Sequence, residues 1–96
     1  MKDVSLREEG DTLHVGGDLT FATVGKVARD SQWRHASRVV DLAGVNACDS
    51  AGLALLIEWL RQARRAGTAI VYRNVPERML QLARISELDG IITADA

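Results

Sequence analysis

Apolar and polar residues alternate over Val4-Ser5-Leu6-Arg7 and again over Leu13-His14-Val15. Alternation puts every second side chain on the same face of a strand. The two stretches flank the turn-forming cluster Glu8-Glu9-Gly10-Asp11, so they predict an N-terminal β-hairpin. Gly16-Gly17 is expected to end the second strand, because glycine lets the backbone leave a sheet. From Phe21 to about Trp33 the spacing changes to three and four, with Phe21, Val24, Val27, Ala28 and Ser31 on one side. That period predicts a helix with Thr20 as N-cap, weakened at Gly25.

Arg38-Val39-Val40-Asp41-Leu42 is a β-branched run followed by Gly44 and predicts a buried strand. Ala51 to Ala66 carries the clearest helical stripe: Leu53, Leu56, Ile57, Leu60 and Ala63. Arg64 and Arg65 suit its last turn, where the helix dipole favours cations, and Gly67 suits the stop. Ala69-Ile70-Val71-Tyr72 predicts a further strand. Pro76 then opens a helix running to about Ser86, with Leu80 and Ala83 inward. Ile91-Ile92 is a candidate last short strand. The order is ββαβαβα(β). Right-handed crossovers between parallel strands make this an α/β fold: a mixed sheet, mostly parallel, antiparallel at the N-terminal hairpin, packed with helices.

Composition narrows the function. The 96 residues carry 12 Lys+Arg against 13 Asp+Glu, a balance that argues against a nucleic-acid or anionic-membrane binder. The length predicts one domain over residues 1–96. One cysteine, Cys48, leaves no internal disulfide and no cysteine-based zinc cage, which suits a reducing compartment. The start, Met1-Lys2-Asp3-Val4-Ser5, lacks the apolar stretch of a signal peptide, and no apolar run approaches a membrane span. The expectation is a cytoplasmic binding or regulatory module rather than an enzyme.

The informative segment is Asn46-Ala47-Cys48-Asp49-Ser50-Ala51-Gly52-Leu53. It follows a parallel strand and opens a long helix, the usual place for function in such sheets. At a helix start, free N–H groups and the positive dipole end favour an anion. Ser50 therefore reads as a phosphoacceptor or as the centre of a contact surface. On the plainer reading, Asp49 or Ser50 simply caps the helix. Gly52 in the first turn leaves room for close approach of another chain. Leu55 and Trp59 lie one turn apart, offset from the main stripe; they either extend the core or emerge beside Ser50 as an apolar anchor. Tryptophan is common at binding hot spots.

Asp49-Ser50-Ala51-Gly52-Leu53-Ala54-Leu55-Leu56 resembles the Asp-Ser-Ser/Thr-Gly-Leu signature of the STAS domain, named for sulfate transporters and anti-sigma factor antagonists. Val39-Val40-Asp41-Leu42 is similar to the strand before that signature. Gly17-Asp18-Leu19-Thr20 is similar to the family's Gly-Glu-Leu-Asp loop, and the match runs over about residues 11–92. Gly17-Asp18-Leu19-Thr20-Phe21, Glu58-Trp59-Leu60-Arg61 and Ala66-Gly67 point, within the family, to the small STAS subunit of Gram-negative phospholipid ABC transporters. The resemblance implies a non-catalytic subunit that binds and stabilises the cytoplasmic ATPase; no cofactor is expected, and one cysteine with no histidine pair at helical spacing argues against a metal site. It is expected at the inner membrane only through that complex, which maintains outer-membrane lipid asymmetry. The implied interface is Asp49, Ser50, Ala51, Gly52, Leu55, Trp59 and Thr20. The alternative is an anti-sigma factor antagonist switched by serine phosphorylation at Ser50. Two departures count against the switch: Ala51 stands where a second Ser or Thr is common, and Thr20 where the loop acid is.

The remaining polar residues add little. Neither His14, on a strand face, nor His35, in a loop, is placed near Ser50 by the pattern, so no base for a Ser50 nucleophile is evident. Cys48 reads as a small hydrophobe. Arg61, Arg64 and Arg65 form a basic helix edge that is either solvated or meets an acidic partner. Asp41 either orients the Ser50 loop or is a hydrogen-bonded strand carboxylate. Trp33 reads as a core-edge aromatic.

Overall fold

The computed structural model describes residues 3–29 and 38–88. Its elements are β1 (Ser5–Glu9), β2 (Thr12–Leu19), α1 (Phe21–Arg29), β3 (Val39–Cys48), α2 (Ser50–Arg65), β4 (Val71–Arg73) and α3 (Glu77–Ile85). The four strands lie in sequence order, β1 antiparallel to β2, and β2, β3 and β4 parallel. This is the mixed α/β sheet that the pattern predicts. Ile91-Ile92, Trp33 and His35 fall outside the described residues, as does the end of the first predicted helix.

Alternation in the strands decides what is core. Leu13, Val15 and Leu19 of β2, Val40 and Leu42 of β3 and Tyr72 of β4 are buried beneath the helices. The opposite side of the sheet carries Arg7, His14 and Asp41, which stay partly or fully exposed. α2 is the central helix and packs on α1 at one side and α3 at the other. Tyr72 ties it to the sheet, its hydroxyl donating 2.5 Å to the Leu56 carbonyl. Burial pushes the Tyr72 hydroxyl well above its usual pKa of 10.0, so it stays a donor.

Several boundaries differ from the sequence expectation. β2 does not stop at Gly16-Gly17 but runs through them to Leu19, pairing Gly16 with Gly44 and Gly17 with Val45. Here glycine serves close strand approach: a Cβ on Gly44 would lie 3.1 Å from the Gly16 Cα. β3 continues past Leu42 to Cys48, with one extra residue between the pairs at His14 and Gly16 and another between those at Gly17 and Leu19. These bulges break the alternation, so the second half of β3 leaves no period-two signal. At the first, the Ala43 N–H donates 2.9 Å to the Asp41 carboxylate. Pro76 is the N-cap of α3 rather than its first helical residue, and Met79 with Ala83 forms its buried face. Leu80 is half-buried.

Candidate functional site at the head of the central helix

Asp49 is extended, with φ −140° and ψ −169°, and forms the N-cap of α2. Its Oδ1 accepts from the Ala51 N–H at 2.9 Å and the Gly52 N–H at 3.3 Å. Its Oδ2 accepts from the Phe21 N–H at 3.0 Å, the first residue of α1. One carboxylate therefore satisfies the orphan donors of two helices. The Asp49 N–H closes the arrangement by donating 3.2 Å to the Leu19 carbonyl at the end of β2.

Gly52 is buried and faces inward, not toward a partner. A Cβ there would sit on the Leu19 carbonyl oxygen and 3.0 Å from the Leu19 Cβ. The chain that approaches this glycine closely is its own β2. Thr20 contributes backbone rather than a side-chain cap: its carbonyl accepts from the Thr23 and Val24 N–H groups, each at 2.9 Å. The buried Thr23 hydroxyl accepts from the Thr20 N–H at 3.0 Å and donates to the Asp18 carbonyl at 2.6 Å. This reaches back as the N3 residue of a capping box does.

Leu55 and Trp59 are not a surface anchor. They are 5% and 0% exposed, inside the core. A helix flanked by two others and lying on a sheet buries an arc wider than one stripe, and residues 55 and 59 fall within it. Ile57 and Leu60, expected inward, are only half-buried. Ser50 is exposed, Ala51 and Thr20 are half-buried, and Ala54 is exposed one turn on. The sequence reading missed Phe21. The period groups it with Val24 and Val27 on one side of α1, yet it is 85% exposed. Helical side chains lean toward the N-terminus, so at the first residue the ring overhangs the sheet edge, where no core lies. Neighbouring apolar positions in α1 gave no signal of this.

The other candidates lie elsewhere. Asp41 does not orient the Ser50 loop: its carboxylate accepts from Asn74 Nδ2 at 3.0 Å and lies 3.5 Å from His14 Nδ1. The Asn74 hydrogen bond, opposed by burial and helped by the Ala43 N–H, His14 and Arg73, holds its pKa below the usual 3.8. His14 also meets Glu9, at 3.2 Å. Cys48 is half-buried; desolvation raises its pKa above 9.0, which disfavours the reactive thiolate. Arg61 and Arg65 each lie 3.8 Å from Glu58 on an exposed helix face. Among the described residues no cluster of His, Cys, Asp and Glu suits a metal ion, and no helix is long and apolar enough to cross a membrane.

A mixed sheet with an Asp-capped helix, a serine exposed at the helix head and a glycine pressed on the end of β2 is the architecture of a STAS domain. The family model described as "Mlab, STAS domain" matches residues 3–93, and the chain belongs to that family. The unphosphorylated form of the anti-sigma factor antagonist SpoIIAA shares the fold, with a TM-score of 0.61 and 14% identity over 85% of this chain and 82% of that one. A crystal structure of Mglu superposes with a TM-score of 0.56 and 28% identity, over 77% of this chain but only 20% of that one. No curated protein sequence matches the chain. The family is one of binding modules, generally without catalysis.

Proposed function

We propose that the chain is a non-catalytic accessory subunit that binds the cytoplasmic ATPase of a Mla-type phospholipid ABC transporter and stabilises or activates it. Through that complex it sits peripherally at the inner membrane and serves outer-membrane lipid asymmetry. The observation that carries this reading is the match of residues 3–93 to the MlaB model. The exposed head of α2 supports it as the contact: Ser50 at the centre, Thr20 and Ala51 beside it, and Asp49 holding the Ala51 and Phe21 N–H groups that flank them. Gly52, Leu55 and Trp59 shape this surface from inside.

A second reading, an anti-sigma factor antagonist switched at Ser50, is favoured by one feature. The Ser50 hydroxyl is exposed at the N-terminus of a 16-residue helix, where an added phosphate is well tolerated. Affinity capture of the tagged chain from native membranes separates the two. Recovery of an ABC-type ATPase supports the transporter subunit. Recovery of a kinase-like anti-sigma factor in its place supports the switch. ATPase, phosphatase or esterase turnover by the isolated chain that is lost on Ser50→Ala would overturn both.

A further inference from the structure

Each of α1, α2 and α3 follows a parallel strand, so all three helices begin along one edge of the sheet. Because β2, β3 and β4 are consecutive neighbours, Phe21, Ser50 and the first turn of α3 fall in a row along that edge. At one end the Phe21 ring is 85% exposed, although an aromatic ring gains most from leaving water. Its neighbours on the helix, Ala22 and Gly25, are exposed and small, as is Ala54 on α2, so the ring stands above a low surface. Its backbone is pinned by Asp49, which presents the ring from a fixed point at little entropic cost.

At the other end Arg78, in the first turn of α3, is exposed, and its charge reaches the Cys48 thiol one residue before Asp49. The carboxylates of this edge are engaged within the molecule. Asp49 takes three N–H groups, Glu77 lies 3.2 Å from Arg84, and Asp18 is likewise engaged. Arg78 makes no ion pair among the described residues. Exposed and without such a pair, Arg78 is the group on this edge that a partner's carboxylate would complement.

We propose that Phe21 and Arg78 determine the specificity of the Ser50 surface, the Phe21 ring entering an apolar pocket and Arg78 meeting a carboxylate on the ATPase subunit. This rests on the transporter reading above. The test titrates the purified ATPase subunit against the full chain and its Phe21→Ser, Arg78→Glu and Ile85→Ser variants, with thermal melting in parallel. Ile85 is the control, being 78% exposed but at the far end of α3. Phe21→Ser is expected to weaken binding roughly tenfold or more, Arg78→Glu by about severalfold, and Ile85→Ser not at all, with melting unchanged throughout. Wild-type binding by Phe21→Ser overturns the anchor. Wild-type binding by Arg78→Glu overturns the acidic pairing. An equal loss with Ile85→Ser shows that any exposed apolar residue matters and overturns the proposal. If the wild-type chain binds no ATPase, the transporter reading falls and this inference with it; if only the variants behave like wild type, the reading stands alone.

Discussion

A helix start leaves N–H groups without partners, and in this chain two such starts meet at one side chain. Asp49 takes the Phe21 N–H on one oxygen and those of Ala51 and Gly52 on the other. Losing an ordinary cap costs about 1 kcal/mol. Asp49→Ala strips two helices at once and is expected to cost about 2 kcal/mol, lowering the melting temperature by roughly 8–16 °C for a domain of this size. Asp49→Asn keeps an acceptor but cannot serve both helices as a carboxylate does, so it is expected to fall between. A fall of only about 4–8 °C, that of a single cap, would show that the Phe21 bond contributes nothing. Asp41 supplies the pH dependence. Its folded pKa lies below 3.8, chiefly through the Asn74 bond. A depressed carboxylate contributes stability that is fully present above its unfolded pKa and is lost as pH falls through the folded one. Urea midpoints of wild type and Asp41→Asn should differ most near neutral pH and converge below the usual carboxylate range.

Elements end here by one geometry built from two sequences. After α2, the Gly67 N–H donates to the Arg64 carbonyl at 3.1 Å and the Thr68 N–H to the Ala63 carbonyl at 2.9 Å. After α3, the Glu87 N–H donates to the Arg84 carbonyl at 3.1 Å and the Leu88 N–H to the Ala83 carbonyl at 2.7 Å. Both are Schellman caps, whose central residue is left-handed: Gly67 at φ 77° and Glu87 at φ 60°. Glycine enters that region freely, whereas a residue with a Cβ is strained there by about 1 kcal/mol. Glu87→Gly is therefore expected to stabilise the protein by up to about 1 kcal/mol, and Gly67→Ala to destabilise it by a similar amount. Chemical denaturation measures both. Equal midpoints for Glu87→Gly and wild type would show that Glu87 recovers the strain through its side chain. The same contrast explains what the sequence made legible. The end of α2 was readable because Gly67 announces it. β3 was readable only to Leu42, because its bulged half pairs by backbone contact between glycines and loses its alternation. Leu55 and Trp59 were ambiguous because their burial depends on helices packed on both flanks of α2, which no local period encodes. The Asp49-Ser50-Gly52 pattern was legible as a motif, but its mechanics were not: that Asp49 also holds α1, and that Gly52 meets Leu19, needs contacts across 28 and 33 positions of chain.

At the scale of the molecule, parallel strands gather the starts of α1, α2 and α3 at one edge, while the core lies beneath the helix bodies. On the proposed reading, binding and folding fall on different residues of the same helix, and the two can be separated. Trp59, 0% exposed, is core. Trp59→Ala is expected to cost about 3–5 kcal/mol, a large share of the roughly 5–15 kcal/mol that holds such a domain together. Ser50 is exposed at the head of α2, so its substitutions act on the fold only through the helix dipole. A glutamate there is favoured by a few tenths of a kcal/mol and an arginine disfavoured by about as much. Ser50→Glu should melt slightly above wild type and Ser50→Arg slightly below it. At a buried contact both place a bulky charge opposite a surface shaped for a small hydroxyl, and an unpaired charge there costs several kcal/mol. Both should lose ATPase capture, although their effects on melting have opposite signs, while Trp59→Ala should lose capture only in proportion to its unfolding. If Ser50→Glu and Ser50→Arg capture the ATPase as wild type does, the contact lies on another face. If capture follows the melting temperature across all three, Ser50 is no more than the first residue of a capped helix.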